Sequence, residues 1–240
     1  MSENLKNLQA KILKQPAEAK NQILDQSEPK DRYTRSRLLF GDDFHKLQKA
    51  KILVFGVGGV GGICVDALAR AGVGEITIVD KDVFDITNQN RQIYSEAVGA
   101  VKVSEFALRY PCIKALQELV TPEFVANFDF SPFDLVIDAI DDMSAKVAIA
   151  HAAKDKLIAS MGGGKRIDAT QVKVASVWKT TNDALARKYR YELRKSGFNG
   201  DFDVVFSTEL PRCRELGSFM GVTAVFGLNL ASLAIRKILV

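Results

Sequence analysis

Asp80, Arg91, Lys102 and Asp141 follow a run of glycines, Gly56-Val57-Gly58-Gly59-Val60-Gly61. Glycines at this spacing do phosphate chemistry. Gly56 allows a tight turn. Gly58 removes a side chain so that backbone can approach a phosphate or ribose. Gly61 lets the next helix pack closely on its strand. Asp80 comes nineteen residues after Gly61, where a carboxylate accepts hydrogen bonds from a ribose. The glycine run alone does not separate a dehydrogenase from other nucleotide users.

The segment after Asp80 does separate them. It reads Asp80-Lys81-Asp82-Val83-Phe84-Asp85-Ile86-Thr87-Asn88-Gln89-Asn90-Arg91-Gln92, with Gly99 and Lys102 beyond it. Arg91 and Lys102 fall past the carboxyl end of the second expected strand, the edge that forms the ligand crevice of an open α/β sheet. Two cations there suit a triphosphate. A dinucleotide has a single pyrophosphate, which rests on the glycine turn. Asp141 falls past the fourth strand, at the same edge. A carboxylate near phosphates is repulsive without a cation, so Asp141 implies Mg2+. Gly162-Gly163-Gly164-Lys165 is not a phosphate loop of the Walker type. No glycine stands five residues before Gly164, and Arg166 replaces the required Ser or Thr. A glycine-lined sheet end is expected there.

Strands and helices alternate around these residues. Strands are expected at Lys51–Phe55, Ile76–Asp80, near Leu116–Val120, at Asp134–Ala139 and at Leu157–Ser160. Helices are expected at Gly61–Ala71, Lys102–Tyr110 and Asp142–Lys154, and Thr121-Pro122 reads as the cap of a short helix. The pattern predicts a Rossmann-like α/β fold with a doubly wound, mostly parallel sheet. Later elements differ. Gln171–Val177 alternates polar and apolar residues, as a half-exposed antiparallel strand does. Helix Asn182–Ser196 ends at Gly197, and a strand at Val204–Thr208 precedes the C-terminal helix. Residues 1–30, interrupted by Pro16 and Pro29, are expected to be an appendage to a domain over 31–240.

The 240 residues suffice for one such domain, and a net charge of +4 permits a polyanionic partner. Three dispersed cysteines argue against a disulfide framework and suit a reducing cytoplasm. No C-x-x-C pair exists and there are two histidines, which argues against a cysteine-paired zinc or a histidine-rich metal site. The N-terminus has no apolar core run, so no signal peptide is expected. Leu216 to Ile235 carries no charge over twenty residues, long enough to span a bilayer. It also holds Ser218, Thr223, Asn229, Ser232 and three glycines. A helix buried on the sheet or in a dimer interface is expected, not a membrane span.

The run from Arg32 to about Ala159 resembles the ThiF/MoeB superfamily, the adenylating domain shared with ubiquitin-activating enzymes. The ordered motifs are Gly-x-Gly-Gly-x-Gly, Asp-x-Asp, Asn-x-x-Arg-Gln, a Lys and Asp-x-x-Asp. Thr87 to Ile93, Val205 to Glu209 and Gly217 to Gly227 are similar to one branch, the tRNA threonylcarbamoyladenosine dehydratases. That resemblance implies an ATP-dependent cyclisation of the modified adenosine at position 37 of tRNA. Adenylation of a sulfur-carrier or ubiquitin-like C-terminus is the alternative it leaves. Activators of sulfur carriers usually bear two C-x-x-C pairs, which this chain lacks.

The resemblance assigns Asp80 to the ribose of ATP, Gly56, Gly58 and Gly59 to the nucleotide lining, Arg91 and Lys102 to the phosphates and Asp141 to Mg2+. Asp82 and Asn88 join the nucleotide-binding set. Arg35 aligns with an arginine that reaches the triphosphate of a neighbouring subunit, which implies a homodimer. Arg32-Tyr33-Thr34-Arg35 is closer to the sulfur-carrier activators, so Arg32 and Arg37 stay as alternatives. A cysteine desulfurase or sulfur-acceptor partner is also implied. Cys213 stands between Arg212 and Arg214, where flanking cations would favour a thiolate; an incidental cysteine in a basic loop is the plainer reading.

RNA binding leaves an electrostatic trace. Helix Asn182–Ser196 carries Arg187, Lys188, Arg190, Arg194 and Lys195 against Glu192. Arg187, Arg190 and Arg194 are expected to share one face, with Tyr189 and Tyr191 stacking on bases and Arg166, Arg212 and Arg214 extending the patch. A merely solvated face is the competing expectation.

Overall fold

Seven strands form one sheet in the order β3-β2-β1-β4-β5-β7-β6. They are β1 (Lys51–Phe55), β2 (Glu75–Val79), β3 (Ile113–Leu116), β4 (Leu135–Asp138), β5 (Leu157–Ser160), β6 (Val172–Ser176) and β7 (Asp203–Ser207). This computed structural model describes residues 30–240. The expected N-terminal appendage, but for Lys30, lies outside the described residues. Every strand pairing is parallel except that of β6 with β7. The topological switch falls between β1 and β4, where the connections leave in opposite directions and open a crevice.

Helices cover both faces, so the central strands are mostly apolar. In β1, Ile52 and Val54 pack into one cluster with α3 (Gly61–Ala71), α4 (Lys102–Arg109) and α8 (Met220–Ile238). Leu53 and Phe55 point the other way, toward α5 (Pro122–Asn127), α6 (Met143–Ala153) and α7 (Ala184–Lys195). Two short helices, α1 (Thr34–Phe40) and α2 (Phe44–Lys49), precede β1.

The caps behave as expected. Thr121 Oγ1 accepts from Phe124 N at 3.1 Å, and Pro122 opens α5. Gly197 adopts φ +74° after α7, and Phe198 N donates to Leu193 O, which closes that helix end.

Two expectations need correction. The third strand is Ile113–Leu116, not Leu116–Val120. It is set by register with β2, where Ile76 faces Ile113 and Val79 faces Leu116. As an edge strand it exposes Lys114, Ala115 and Leu116, so it lacks an apolar signature. Helix α7 begins at Ala184. Asn182 sits at φ +56°, outside the helix, and Asp183 caps it by accepting from Ala186 N at 2.9 Å. Leu38 and Leu39, beside the arginine run, are exposed on α1.

The uncharged C-terminal stretch folds as α8, which crosses α3. Val222, Phe226, Leu230 and Leu233 are buried there. Gly227 makes the crossing possible, since a Cβ there would lie 2.4 Å from Val60 O and 2.9 Å from Ile63 Cβ. α8 is long and apolar enough to cross a membrane, but its apolar stripe is spent on this core.

Candidate nucleotide site

The carboxyl ends of β1, β2, β4 and β5 surround one cavity of about 690 Å3, within the usual range for a small-molecule site. The glycine turn after β1 forms its floor. Gly56 has φ +86°, and a Cβ there would meet Ala139 O at 2.9 Å. A Cβ on Gly61 would lie 1.8 Å from Gly56 O, so the start of α3 tolerates no side chain. Gly58 differs. A Cβ there would find only Gln92 Nε2, at 3.8 Å. Its openness faces the cavity, as a backbone meant to touch a ligand requires.

Asp80 follows β2 and is half-buried. Its Oδ2 accepts from Val57 N at 2.8 Å, and its Oδ1 accepts from Asp82 N at 2.9 Å. The carboxylate thus holds the glycine turn against the end of β2. Its remaining lone pairs are available to a ribose. Asp82 in turn holds Lys102, Oδ2 to Nζ at 3.2 Å, while its Oδ1 takes Lys81 Nζ at 2.6 Å. Burial raises the Asp82 carboxyl, but the Lys81 and Lys102 ammonium groups outweigh it and keep it below its ordinary range. Lys102 opens α4, the end of a helix where the dipole disfavours a cation. Its side chain is 6% exposed. A buried cation at the unfavourable end of a helix, held by one carboxylate on the cavity wall, is poised for an anion.

Arg91 lies over Gly59, since a Cβ on that glycine would meet Arg91 Cγ at 3.1 Å. Its guanidinium donates to Thr87 O at 3.0 Å and to Asn90 Oδ1 at 2.8 Å. Asn88 lines the cavity and also closes a capping box, its Oδ1 accepting from Asp85 N at 3.1 Å. Asp141 is exposed at the rim, in the cavity lining, just before the cap of α6. The structure therefore brings Gly56, Gly58, Gly59, Asp80, Asp82, Asn88, Arg91, Lys102 and Asp141 together in one lining.

Arg35 is not in that lining. It is exposed on α1. Its two rivals are engaged within the chain. Arg37 forks onto Asp31 at 2.8 and 2.9 Å, and Arg32 stands over the rings of Tyr33 and Tyr110.

The cavity has a second half that the spacing of charges did not reveal. Met161 to Arg166, Asp183, Leu185, Pro211 and Leu216 wall it. Gly162–Gly164 is the expected glycine-lined sheet end. Arg166 does not extend a surface patch. It is 5% exposed and turned inward, donating to the carbonyls of Gly162, Gly164, Glu209 and Asn182. Asp183 lies 3.5 Å from it and accepts from Gly162 N at 3.2 Å. Burial raises the Asp183 carboxyl against these donors. Gln92, quoted in the motif without a role, is buried beside Gly58 and leaves Oε1 without a hydrogen-bond partner. The sequence reading also misses Lys146, which is fully buried and donates to the carbonyl of Ile140, the residue before Asp141. Its signal was a lone lysine among the small apolar residues of α6.

The basic helix is only partly as expected. Arg187, Lys188, Arg194, Lys195 and Tyr191 are exposed. Tyr189 cannot stack on a base. It is fully buried and its hydroxyl donates to Lys146 O at 2.8 Å. Arg190 is half-buried and donates to Thr180 Oγ1. Arg194 lies 5.0 Å over the Trp178 ring. Cys213 is exposed, and its thiol donates to Glu215 O at 3.2 Å.

A Mg2+ carried by nucleotide phosphates needs only one or two protein carboxylates. Among the described residues no three His, Cys, Asp or Glu groups cluster to cage a metal. Asp141, exposed at a rim shared with two cations, fits a phosphate-borne Mg2+.

The family model described as ThiF family matches residues 33–240. The chain is 37% identical to the tRNA threonylcarbamoyladenosine dehydratase of Bacillus subtilis (strain 168) over 75% of each. It is 34% identical to that of Escherichia coli (strain K12), over 88% of this chain and 94% of the other. A crystal structure of E. coli tRNA N6-threonylcarbamoyladenosine dehydratase in complex with ATP has a TM-score of 0.80 and 37% identity, covering 86% of this chain and 93% of that one. A glycine turn, a Rossmann-type sheet and a match from residue 33 to the last residue converge, and the chain belongs to the ThiF family.

Proposed function

We propose that this chain is an ATP-dependent dehydratase that cyclises N6-threonylcarbamoyladenosine at position 37 of tRNA by adenylating the threonyl carboxylate. The convergence of Asp80, Arg91, Lys102 and Asp141 on one glycine-floored cavity carries the reading. Dehydratases of that name are similar over most of this chain.

A free carboxylate is a poor electrophile because oxide would have to leave. Attack of the carboxylate oxygen on the α-phosphorus of ATP forms an acyl-adenylate and releases pyrophosphate. The carbamoyl nitrogen or oxygen of the same side chain then attacks the acyl carbon, and AMP departs. The net change is loss of water. Arg91 and Lys102 offset charge building on the phosphates. Asp80 and the glycine turn hold the ribose. Asp141 would hold Mg2+, which supplies further charge neutralisation at the phosphates. Ring closure is intramolecular, so a high effective molarity replaces a covalent enzyme intermediate.

The tRNA meets the exposed basic face of α7, at Arg187, Lys188, Arg194 and Lys195. Helix α7 starts at the cavity wall, at Ala184 and Leu185. That position supports a reading in which phosphates flanking an inserted base run along its charges. Arg35 serves the nucleotide of a second subunit in a homodimer, since it is exposed and lies outside its own cavity. The reaction belongs to the cytoplasm, where tRNA is modified.

The deciding experiment incubates the protein with ATP, Mg2+ and tRNA bearing threonylcarbamoyladenosine, then analyses nucleosides by mass spectrometry. The dehydrated nucleoside is expected, with AMP and pyrophosphate in equal amounts. Its absence beside an active control enzyme rejects the proposal.

A further inference from the structure

Lys146 sits in α6 one turn after Asp142, with its side chain 0% exposed. Its ammonium faces three oxygens. It donates to Ile140 O at 3.2 Å and to Ser160 O at 3.0 Å. Asp138 Oδ2 lies 2.8 Å away, an ionic contact off the line of a hydrogen bond. Asp138 Oδ1 accepts from Ile140 N at 3.2 Å. The carbonyl of Lys146 itself accepts the Tyr189 hydroxyl, which ties α6 to α7.

These oxygens lie where the sheet comes apart. β4 and β5 pair through Asp138 and Ala159. Beyond that pair the chains part to enclose the cavity. One leads through Ile140 to Asp141. The other leads through Ser160 to Gly162, Gly163 and Gly164. Ser160 still pairs with Val205 of β7, but its carbonyl and that of Ile140 lie past the last β4–β5 pair and need donors. Lys146 supplies them, and so cross-links the two strand ends just past the last ladder pair.

The ion pair with Asp138 does not by itself explain a lysine here. A buried ion pair is often matched or improved upon by apolar residues of similar volume. A charged group retained at this point does something apolar packing cannot. It grips both strand ends through a single atom.

Resting on the adenylation reading above, we infer that Lys146 is a positioning residue: it sets Asp141, on the nucleotide side of the cavity, against the Ser160–Gly164 turn on the opposite side. It touches no substrate. It acts through Asp141, and Tyr189 fixes it from α7.

The test compares wild type with the double variant Asp138→Asn/Lys146→Met, which removes both charges and leaves no buried ion alone. Calorimetry measures ATP affinity with and without Mg2+, and pyrophosphate release measures turnover on modified tRNA. A folded double variant that melts below wild type is expected, because the Ile140 and Ser160 carbonyls lose their donor. So is unchanged ATP affinity without Mg2+, because Asp80, Arg91 and Lys102 are untouched. The tightening of ATP binding by Mg2+ should fall about 10- to 100-fold, and kcat with it, as when a residue supporting a metal ligand is lost. A folded double variant with the full Mg2+ effect and normal kcat overturns the inference. If the double variant does not fold, Tyr189→Phe decides. It removes one hydrogen bond, and a roughly two- to tenfold loss of the Mg2+ effect supports the inference while no loss refutes it. The binding arm is independent of the reaction. A wild type that binds MgATP but releases no pyrophosphate with tRNA sinks the adenylation reading and leaves the role of Lys146 measurable.

Discussion

The Asp80 carboxylate is hydrogen-bonded to the backbone of Val57, at 2.8 Å, across the mouth between β2 and β1. The residue proposed to hold the ribose therefore also shapes the turn that receives the phosphates. Asp80→Ala should cost stability as well as affinity. It leaves the N–H groups of Val57 and Asp82 without this acceptor, a loss of about 1–3 kcal/mol. Chemical denaturation and ATP titration check this. Lost ATP binding with wild-type stability would show that the tether carries no weight.

The glycines of the turn should separate into two kinds. Gly61→Ala places a methyl 1.8 Å from Gly56 O, so the variant should fail to accumulate as folded protein. Gly58→Ala meets nothing nearer than 3.8 Å and should fold normally. Its methyl then occupies space on the cavity side, and ATP affinity should fall. Circular dichroism melts and ATP titrations of both variants test the contrast, which normal folding of Gly61→Ala would break.

Asp82 makes the stability of the site depend on pH on the acid side. Its carboxyl lies below its ordinary range when folded. The stabilisation is therefore complete above the unfolded value of about 3.9 and disappears as pH falls through the lower folded value. Asp82→Asn lacks this contribution at every pH. The stability gap between wild type and Asp82→Asn should be widest near pH 6 and narrow toward pH 3. Urea unfolding at stepped pH reads it, and a constant gap would contradict the assignment.

The exposed basic face of α7 should govern tRNA and not ATP. Reversing Arg187, Lys188 and Lys195 to glutamate should weaken tRNA binding by at least about tenfold. Each lost phosphate contact should also flatten the salt dependence by roughly 0.7–0.9 in logarithmic slope. ATP affinity should not change. Equal tRNA affinity in the triple variant would return the helix to a solvated surface. Arg190 is left out because its guanidinium is committed to Thr180 Oγ1.

Most of the architecture was legible in the chain, because buried parallel strands and their glycine turns write themselves locally. An apolar run such as Lys51 to Phe55 and its glycine turn are decided by neighbours a few residues away. The positions of Asp80 and Asp141 just past β2 and β4, and of Lys102 at the start of the helix that follows β2, follow from counting elements. Edge strand β3 is not legible in the chain, because its outward residues carry no pattern. Tyr189 and Arg166 look like surface groups in the sequence, since composition records a residue's type and not the direction in which it points.

The sequence by itself determined the alternation of strands and helices, the glycine turn and the charges gathered at one rim, all of which rest on short-range periodicity and spacing. Only the tertiary structure decided that Arg166 and Tyr189 turn inward, that α8 spends its apolar face on α3, and that Lys146 joins the ends of β4 and β5. Those outcomes depend on contacts between residues far apart in the chain. Burial of a charge is settled there by whether distant carbonyls and carboxylates happen to meet it.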